Sequence, residues 1–133
     1  MTFDEQIKDR LEHGFENWNK GYETWLKWCD TLYEPDAHYN IQINSAQKRL
    51  TLQEYKDISK ENMDKMHLEL GGFDNMIIKD GWAAIRYTVK ITDKATGKTV
   101  KQNTMEFVHF KDNGGKIGAR VIEGWALSDL PVD

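Results

Sequence analysis

The sequence has few of the features that mark several large classes of protein. Its 133 residues include one cysteine, Cys29, which excludes an internal disulfide and a cysteine-based metal site. No stretch approaches the run of about 18 apolar residues that a transmembrane helix requires. The opening residues, MTFDEQIKDR, hold no apolar run of the kind found in a signal peptide. We therefore expect a cytoplasmic protein without a membrane segment.

Basic residues are too few to favour nucleic acid as a partner. The chain carries 18 Lys and Arg against 22 Asp and Glu, a net charge of −4, and its basic residues form no stripe. The four histidines have no metal-ligand spacing along the sequence: His13, His38, His67 and His109. These features argue against nucleic acid, an anionic membrane surface and a metal ion as partners.

Aromatic residues, in contrast, are abundant, with five Trp, five Tyr and five Phe. The hydrophobic fraction of 39% and the charged fraction of 30% are those of an ordinary folded protein. The length suits a single domain over residues 1–133. Because aromatic side chains bury large areas and also line small-molecule pockets, we expect a substantial core, a pocket or both.

The first third of the chain predicts two helices that share an apolar face. Apolar residues recur at steps of three and four, as on one side of an α-helix: Ile7, Leu11, Phe15, Trp18, Tyr22, Trp25, Cys29 and Leu32. Thr2 and Glu5 form a capping box at the start. Gly21 divides the run into two helices, and Pro35 ends the second.

One strand and a third helix follow. Residues 37–43 alternate apolar and polar, which predicts a half-buried strand whose inward side chains are those of Ala37, Tyr39, Ile41 and Ile43. Thr51 and Glu54 form a second capping box. The helix that it begins has an inner face made of Tyr55, Ile58, Met63 and Met66.

Everything after Gly71 reads as strands joined by tight turns. Turn signals at 79–81, 93–98 and 111–116 separate strands at 73–79, 82–92, 99–111 and 116–128. Long strands of this kind must twist and curl. The predicted fold class is therefore α+β, a curved antiparallel sheet packed against N-terminal helices.

The apolar side of each long strand is expected to face the helices. In strand 82–92 that side consists of Ala83, Ile85, Tyr87, Val89 and Ile91. In strand 99–111 it carries Met105, Phe107 and His109, and the opposite side carries Thr104, Glu106 and Val108. In the last strand it consists of Ile117, Ala119, Val121, Glu123, Trp125 and Leu127.

Two ionisable residues, His109 and Glu123, thus fall on sides predicted to face inward. A buried, unpaired carboxylate costs several kcal/mol or takes a raised pKa. Glu123 must then be paired, protonated or exposed to a wet cavity, and a salt bridge to Arg120 or Arg86 is one alternative. For His109 the alternative is a hydrogen bond to a backbone carbonyl at the edge of the core.

The turn at 111–116 also predicts a pairing register for the last two strands. A turn centred at 113–114 sets His109 opposite Gly118 and Glu123 opposite Thr104. The two ionisable side chains would then lie about 16 Å apart along the sheet. A substrate could contact both, but a direct hydrogen bond between them is not expected.

Three segments resemble the SnoaL-like branch of the nuclear transport factor 2-like superfamily. They are WNKGYETWL at 18–26, LYEPDAHY at 32–39 and GKIGARVIEGWALSD at 115–129, and the likeness extends to element order over nearly the whole chain. The resemblance implies a cone-shaped α+β barrel around a pocket. Its members include polyketide cyclases, ketosteroid isomerase-like enzymes and dehydratases, which generally need no metal or cofactor.

The resemblance also implies residue roles. Cyclases and isomerases of this branch use a pocket aspartate as acid and base, often beside a histidine or tyrosine. His109 matches the histidine of the penultimate strand, whereas the available carboxylates are Glu123, in the Glu-x-Trp motif, and Asp129, at the strand end. Many members are homodimers through the outer sheet face, which here is predicted to carry Thr88, Thr104, Glu106 and Val108.

Two functions follow as hypotheses. In the first, Glu123 transfers a proton to or from the carbon beside the carbonyl of a small apolar or aromatic ligand. His109, Tyr39 or Tyr87 then hydrogen-bonds the oxyanion that develops on the carbonyl oxygen. Flat walls for that ligand would come from Trp18, Trp25, Phe107 and Trp125. In the second, the chain is a non-catalytic binding or dimeric structural module, which the lack of a clear aspartate–histidine pair favours. A cavity of several hundred Å³ would favour ligand binding, and a packed interior would favour the structural role.

Overall fold

The computed structural model describes residues 1–43 and 46–129, in which three helices and seven strands alternate. Their order is α1 Phe3–Asn19, α2 Tyr22–Leu32, β1 Tyr33–Ile43, β2 Ala46–Thr51, α3 Leu52–Lys65, β3 Met66–Leu70, β4 Asn75–Lys79, β5 Trp82–Asp93, β6 Thr99–Asp112 and β7 Ala119–Ser128. The side chains of Phe15 and Ile43, both predicted to face inward, lie outside the described set. Within the described ranges no helix combines the length and apolarity needed to cross a membrane.

Both predicted capping boxes are present. The Thr2 hydroxyl accepts a hydrogen bond from the Glu5 backbone N–H at 3.1 Å, and the Glu5 carboxylate accepts one from the Thr2 N–H at 3.2 Å. Thr51 and Glu54 repeat this arrangement at the start of α3. Gly21 separates α1 from α2 with a φ of 98°, a conformation that only glycine adopts without strain.

The sheet contains one parallel pair, where the prediction had only antiparallel ones. Its strand order is β2-β1-β7-β6-β5-β3, and β4 also pairs with β5. The pair β1–β7 is parallel and the others are antiparallel. The predicted α+β class of a curved sheet packed against helices is confirmed.

Two short strands, β2 and β3, were missed by the sequence analysis. In β2 only Leu50 is buried, so the segment shows no alternation of apolar and polar residues. β3 begins at Met66, which the periodicity had assigned to the third helix, although α3 ends at Lys65. Met66 fits the helical spacing of α3, but it is the first residue of β3. Its side chain and that of Leu68 face inward from that strand.

β6 faces the opposite way from the prediction. The inward face of β5 is as predicted, with Ala83, Ile85 and Val89 buried. β5 pairs Tyr87 with Thr104 and Ile85 with Glu106, so the even-numbered residues of β6 face inward. Met105 and Phe107 are accordingly 56% and 58% exposed on the outer face.

β7 changes face part-way along its length. It begins at Ala119, later than the predicted start at 116, and its first inward residues, Ala119 and Val121, are buried as expected. The pairing with β6 then shifts by one residue at Ile122, which forms a β-bulge. Beyond the bulge the inward residues are Gly124, Ala126 and Ser128, while Glu123, Trp125 and Leu127 face outward.

Candidate functional site

The two predicted catalytic residues lie together on the outer face of the sheet. His109 is paired directly with Glu123 in the β6–β7 ladder, so the predicted register and the 16 Å separation were wrong. The His109 ring stacks on Trp82 at 4.0 Å, and Trp82 lies 6.0 Å from Trp125. Neither His109 nor Glu123 lines the cavity described below.

Glu123 is held as a carboxylate by two neighbouring strands. Arg49 of β2 donates to both carboxylate oxygens at 2.9 Å, and Asn40 of β1 donates at 2.8 Å. The hydrogen bonds from Arg49, followed by that from Asn40, lower the pKa of Glu123 to about 2. The glutamate in the middle of β7 is therefore explained by a salt bridge, but to Arg49 rather than to Arg120 or Arg86.

Replacing Arg49 with alanine should lower the free energy of unfolding slightly at neutral pH. The effect is small because the Arg49 side chain is 57% exposed. Since the pKa of Glu123 is lowered in the folded state, this stability is present above the unfolded pKa of 4.5 and is lost as pH falls toward about 2. Urea unfolding of Arg49→Ala and of Lys48→Ala, the matched control, at pH 7 and pH 3 measures this. An equal Arg49→Ala deficit at both pH values would contradict it.

A cavity of about 530 Å³ lies between the concave face of the sheet and α3. Its aliphatic wall is formed by residues of β1, α3, β3, β5 and β6: Ile41, Ile58, Leu68, Val89, Ile91 and Val100. Aromatic walls come from Trp18, Tyr39, Tyr55 and Tyr87. This volume falls within the range of about 300–1,000 Å³ that is typical of small-molecule sites.

Glu106 and Tyr87 form a hydrogen-bonded pair on the wall of this cavity. The Tyr87 hydroxyl donates to the Glu106 carboxyl at 2.6 Å, across the diagonal between β5 and β6. Burial raises the pKa of Glu106 to about 8, and burial also raises the pKa of the Tyr87 hydroxyl. Glu106 is therefore a carboxyl group that can gain or lose a proton near neutral pH.

Three tyrosines pack together beside this pair. The rings of Tyr39 and Tyr55 stack with centroids 4.4 Å apart, and the ring of Tyr33 meets each of them edge-on. The Tyr55 side chain hydrogen-bonds with those of Tyr33 and Ser59. Burial raises the pKa of Tyr33 and of Tyr55, so both hydroxyls stay protonated at neutral pH.

The predicted binding residues divide into three groups. Trp18, Tyr39 and Tyr87 line the cavity. Trp25 is fully buried behind it, with its ring centroid 5.4 Å from that of Trp18. Phe107 and Trp125, which face each other across the β6–β7 ladder, lie on the outer face.

Sequence reasoning missed Glu106, because it took the side of β6 that carries Met105 and Phe107 to be the inward one. The turn at 93–98 could have identified the inward side of β6, because it sets the register between β5 and β6. With the inward face of β5 known, that turn sets Thr92 opposite Thr99 and hence Tyr87 opposite Thr104. Paired residues share a face, so Thr104 and Glu106 had to point inward. Ser59 and Asn62 of α3, also on the wall, carried no comparable sequence signal.

This arrangement of helices, curved sheet and cavity is the SnoaL-like form of the nuclear transport factor 2-like fold, and the chain has that fold. AclR from Streptomyces galilaeus, described as a candidate hydroxylase, is 16% identical, with a TM-score of 0.75 over 95% of this chain and 90% of that one. IdmH from Streptomyces antibioticus, a candidate polyketide cyclase, is 14% identical, with a TM-score of 0.74 over 93% of this chain and 92% of that one.

A candidate SnoaL-like polyketide cyclase from Jannaschia Sp. CCS1 is 11% identical, with a TM-score of 0.77 over 97% of this chain and 89% of that one. At such identities the likeness establishes the fold alone. No protein-family model matches the sequence, and no curated protein matches it.

Proposed function

We propose that the chain binds a small, largely apolar, carbonyl-bearing ligand in the cavity and that Glu106 transfers a proton at the carbon beside the carbonyl. The observation that carries this proposal is the Glu106 carboxyl on the cavity wall, with its pKa raised to about 8 by burial. A carboxylate is most effective as a general base when its pKa lies near the working pH. The reaction class is that of an isomerase, cyclase or dehydratase acting without a cofactor.

The neighbours of Glu106 suit this role. The Tyr87 hydroxyl donates to Glu106 at 2.6 Å and so fixes the orientation of the carboxyl group. On the α3 side of the cavity, the buried Ser59 offers an O–H donor to an oxyanion that develops on the ligand. The aliphatic wall excludes water from the reacting atoms, which strengthens these electrostatic interactions.

The solved structures of similar fold favour this reaction class. IdmH and the Jannaschia protein are both described as candidate polyketide cyclases. The proposal transfers the proton-moving role from Glu123 to Glu106, because Glu123 is paired with Arg49 on the outer face. The oxyanion-binding role predicted for His109, which stacks on Trp82 there, passes to Ser59.

The test is exchange of the protons beside a carbonyl with deuterated water, followed by NMR on straight-chain and cyclic ketones. Wild-type protein should catalyse exchange, Glu106→Gln should not, and Glu123→Gln, the matched change outside the cavity, should behave as wild type. Ligand binding without exchange in the wild type would instead support the alternative of a non-catalytic binding module. An equal loss of exchange in Glu106→Gln and Glu123→Gln would contradict the role of Glu106.

The outer face carries a second candidate property, association with another copy of the chain. Five large side chains are 42–69% exposed there and form the outer apolar patch: Ile77, Trp82, Met105, Phe107 and Leu127. Together they expose an apolar area on the order of 500 Å². This would supply much of the roughly 800 Å² that each partner buries in a stable interface. The five side chains are uncharged, and two basic residues lie beside them on the same face, Arg86 opposite Met105 and Lys79 opposite Trp82.

Replacing Phe107 with glutamate should convert a dimer into a monomer, since it would bury a carboxylate in the centre of the interface. Light scattering after size exclusion, over a range of protein concentrations, measures this. Ile117→Glu is the control, because Ile117 is 57% exposed but lies in the β6–β7 connection, outside the patch. A wild-type protein that stays monomeric at high micromolar concentration would contradict the proposed dimer.

A further inference from the structure

The wall of the cavity is arranged in layers along β5 and β6. Inward residues of the two strands pair in register from Tyr87–Thr104, through Val89–Gln102 and Ile91–Val100, to the turn at 93–98. All of these residues line the cavity, as do Asp93, Thr96 and Lys98 of the turn. The cavity therefore extends along these two strands, and residues of β1, β3, β7 and α3 complete its wall.

The deep end of the cavity is polar. Glu106 and Tyr87 lie there with Thr104 and Ser128, whose hydroxyls are 2.8 Å apart. Thr104 is buried, with an exposed fraction of 5%. A polar group of a ligand that reaches this end thus meets hydrogen-bonding partners away from bulk water.

An apolar band separates the deep end from the surface. It is formed by inward side chains of β3, β5 and β6, with one from α3: Leu68, Leu70, Val89, Ile91, Val100 and Ile58. Of the polar residues on the cavity wall, Gln102 sits at the inner edge of this band, opposite Val89. An aliphatic segment is the ligand chemistry that gains most from such a wall.

The opening lies at the β5–β6 turn, where Asp93, Thr96 and Lys98 are exposed. The turn is fastened to the end of α3, because the Lys94 ammonium donates to the Met63 carbonyl at 2.7 Å and the Lys94 N–H donates to the Lys65 carbonyl at 3.0 Å. The Asp93 carboxylate accepts the Ala95 N–H at 2.8 Å and holds the turn itself. The rim is therefore a fixed opening.

The length of this path limits the shape of the ligand. From Tyr87 to Asp93 the strand advances six residues, or about 20 Å. A ligand that reaches from Glu106 to the rim must therefore be of comparable length.

We propose that the ligand is an elongated molecule whose carbonyl head lies at Glu106 and whose aliphatic body runs along β5 and β6 to the rim at 93–98. The head position rests on the proposed function, whereas the body is assigned by the apolar band and by the distance from Glu106 to the rim. Val89, Ile91 and Val100 are then the residues that set how long a body can be accommodated.

The test uses straight-chain methyl ketones from butanone to tetradecanone, with binding measured by calorimetry. Affinity should rise about three- to fourfold with each added methylene until the body spans the apolar band, and then level off because further methylenes lie in water. In Val100→Trp the indole blocks the band, so the levelling-off should come several methylenes earlier and the longest ketones should lose most affinity.

Lys101→Trp is the matched control, since Lys101 is the next residue of β6 and is exposed. It should reproduce the wild-type dependence on chain length, and circular dichroism checks the fold of both variants. Affinity independent of chain length, a Val100→Trp loss equal for all ketones, no saturable binding, or tighter binding of a compact polycyclic ketone would each overturn the inference.

Glu106→Gln, studied with the same ketones, separates this inference from the proposed function. Loss of deuterium exchange with an unchanged levelling-off supports both. Exchange that persists in Glu106→Gln, together with a clear chain-length limit, overturns the proposed function and leaves the elongated ligand in place. Loss of exchange with no dependence on chain length overturns only the elongated ligand.

Discussion

Replacing Glu106 with glutamine should slow proton transfer beside a bound carbonyl by a factor of about 10²–10⁴. Glutamine keeps the size of the side chain and an oxygen that can accept the hydrogen bond from Tyr87, which spans 2.6 Å in the wild type. It cannot take up a proton, however, so the loss is chemical rather than structural. Deuterium exchange into ketones measures the rate, and calorimetry shows whether the ligand still binds.

The wild-type rate should also depend on pH in a definite direction. A base must be deprotonated to act, and the pKa of Glu106 is raised to about 8, so the rate should rise as pH increases through about 8. If Glu106 served as the acid instead, the rate would fall over the same interval. A profile that is flat between pH 6 and pH 9 would remove Glu106 from the proton-transfer step.

The same raised pKa predicts a pH-dependent cost in stability. Between the unfolded pKa of 4.5 and the folded pKa of about 8, the unfolded chain binds fewer protons at Glu106 than the folded chain does. Stability contributed by this group therefore falls as pH rises across that interval. Glu106→Gln should melt above the wild type at pH 9, and the difference should vanish toward pH 4.5.

Replacing Gly124 with alanine should destabilise the fold by about 1–3 kcal/mol and weaken ligand binding. A Cβ at this position would lie 2.6 Å from Cε2 of Tyr39. The Tyr39 ring cannot retreat easily, since its other contacts include Tyr55, stacked at 4.4 Å. Because Tyr39 and Tyr55 both line the cavity, a displaced ring would change its wall. Thermal unfolding and ketone calorimetry measure the two effects.

Gly71→Ala is the matched control for this substitution. A Cβ on Gly71 would meet no heavy atom within 4 Å, so its effect on stability should stay within about 0.5 kcal/mol. If Gly124→Ala proved as stable as Gly71→Ala, with unchanged ligand affinity, the close approach of Tyr39 would not constrain this strand.

Much of the fold could be predicted because its signals are local. The Thr2–Glu5 and Thr51–Glu54 boxes each depend on residues three apart, and both are present. The strict alternation in β5 gave its inward face correctly. β2 and β3 escaped detection because β2 is held by its pairing with β1, and β3 by its pairing with β5, rather than by a pattern of their own.

The candidate site could not be predicted to the same extent, because it depends on register. Both sides of β6 carry large apolar residues, so hydrophobicity did not identify the inward side, and Met105 and Phe107 were taken as inward in place of Glu106. A single extra residue at Ile122 then reversed the second half of β7, and no turn or glycine at that position marks it. A one-residue shift exchanges the two faces of a strand, which moved Glu123 outside and left Glu106 as the carboxyl at the deep end of the cavity.

The bulge at Ile122 also divides β7 into two halves that can vary separately during evolution or in a mutant library. Ala119 and Val121 belong to the buried cluster with the helices, so replacing them threatens folding. Ala126 and Ser128 border the cavity beyond the bulge, so replacing them alters what the cavity accepts. One strand thus supplies both a fixed scaffold and an adjustable surface, and randomising 126 and 128 together is a direct way to change ligand selectivity.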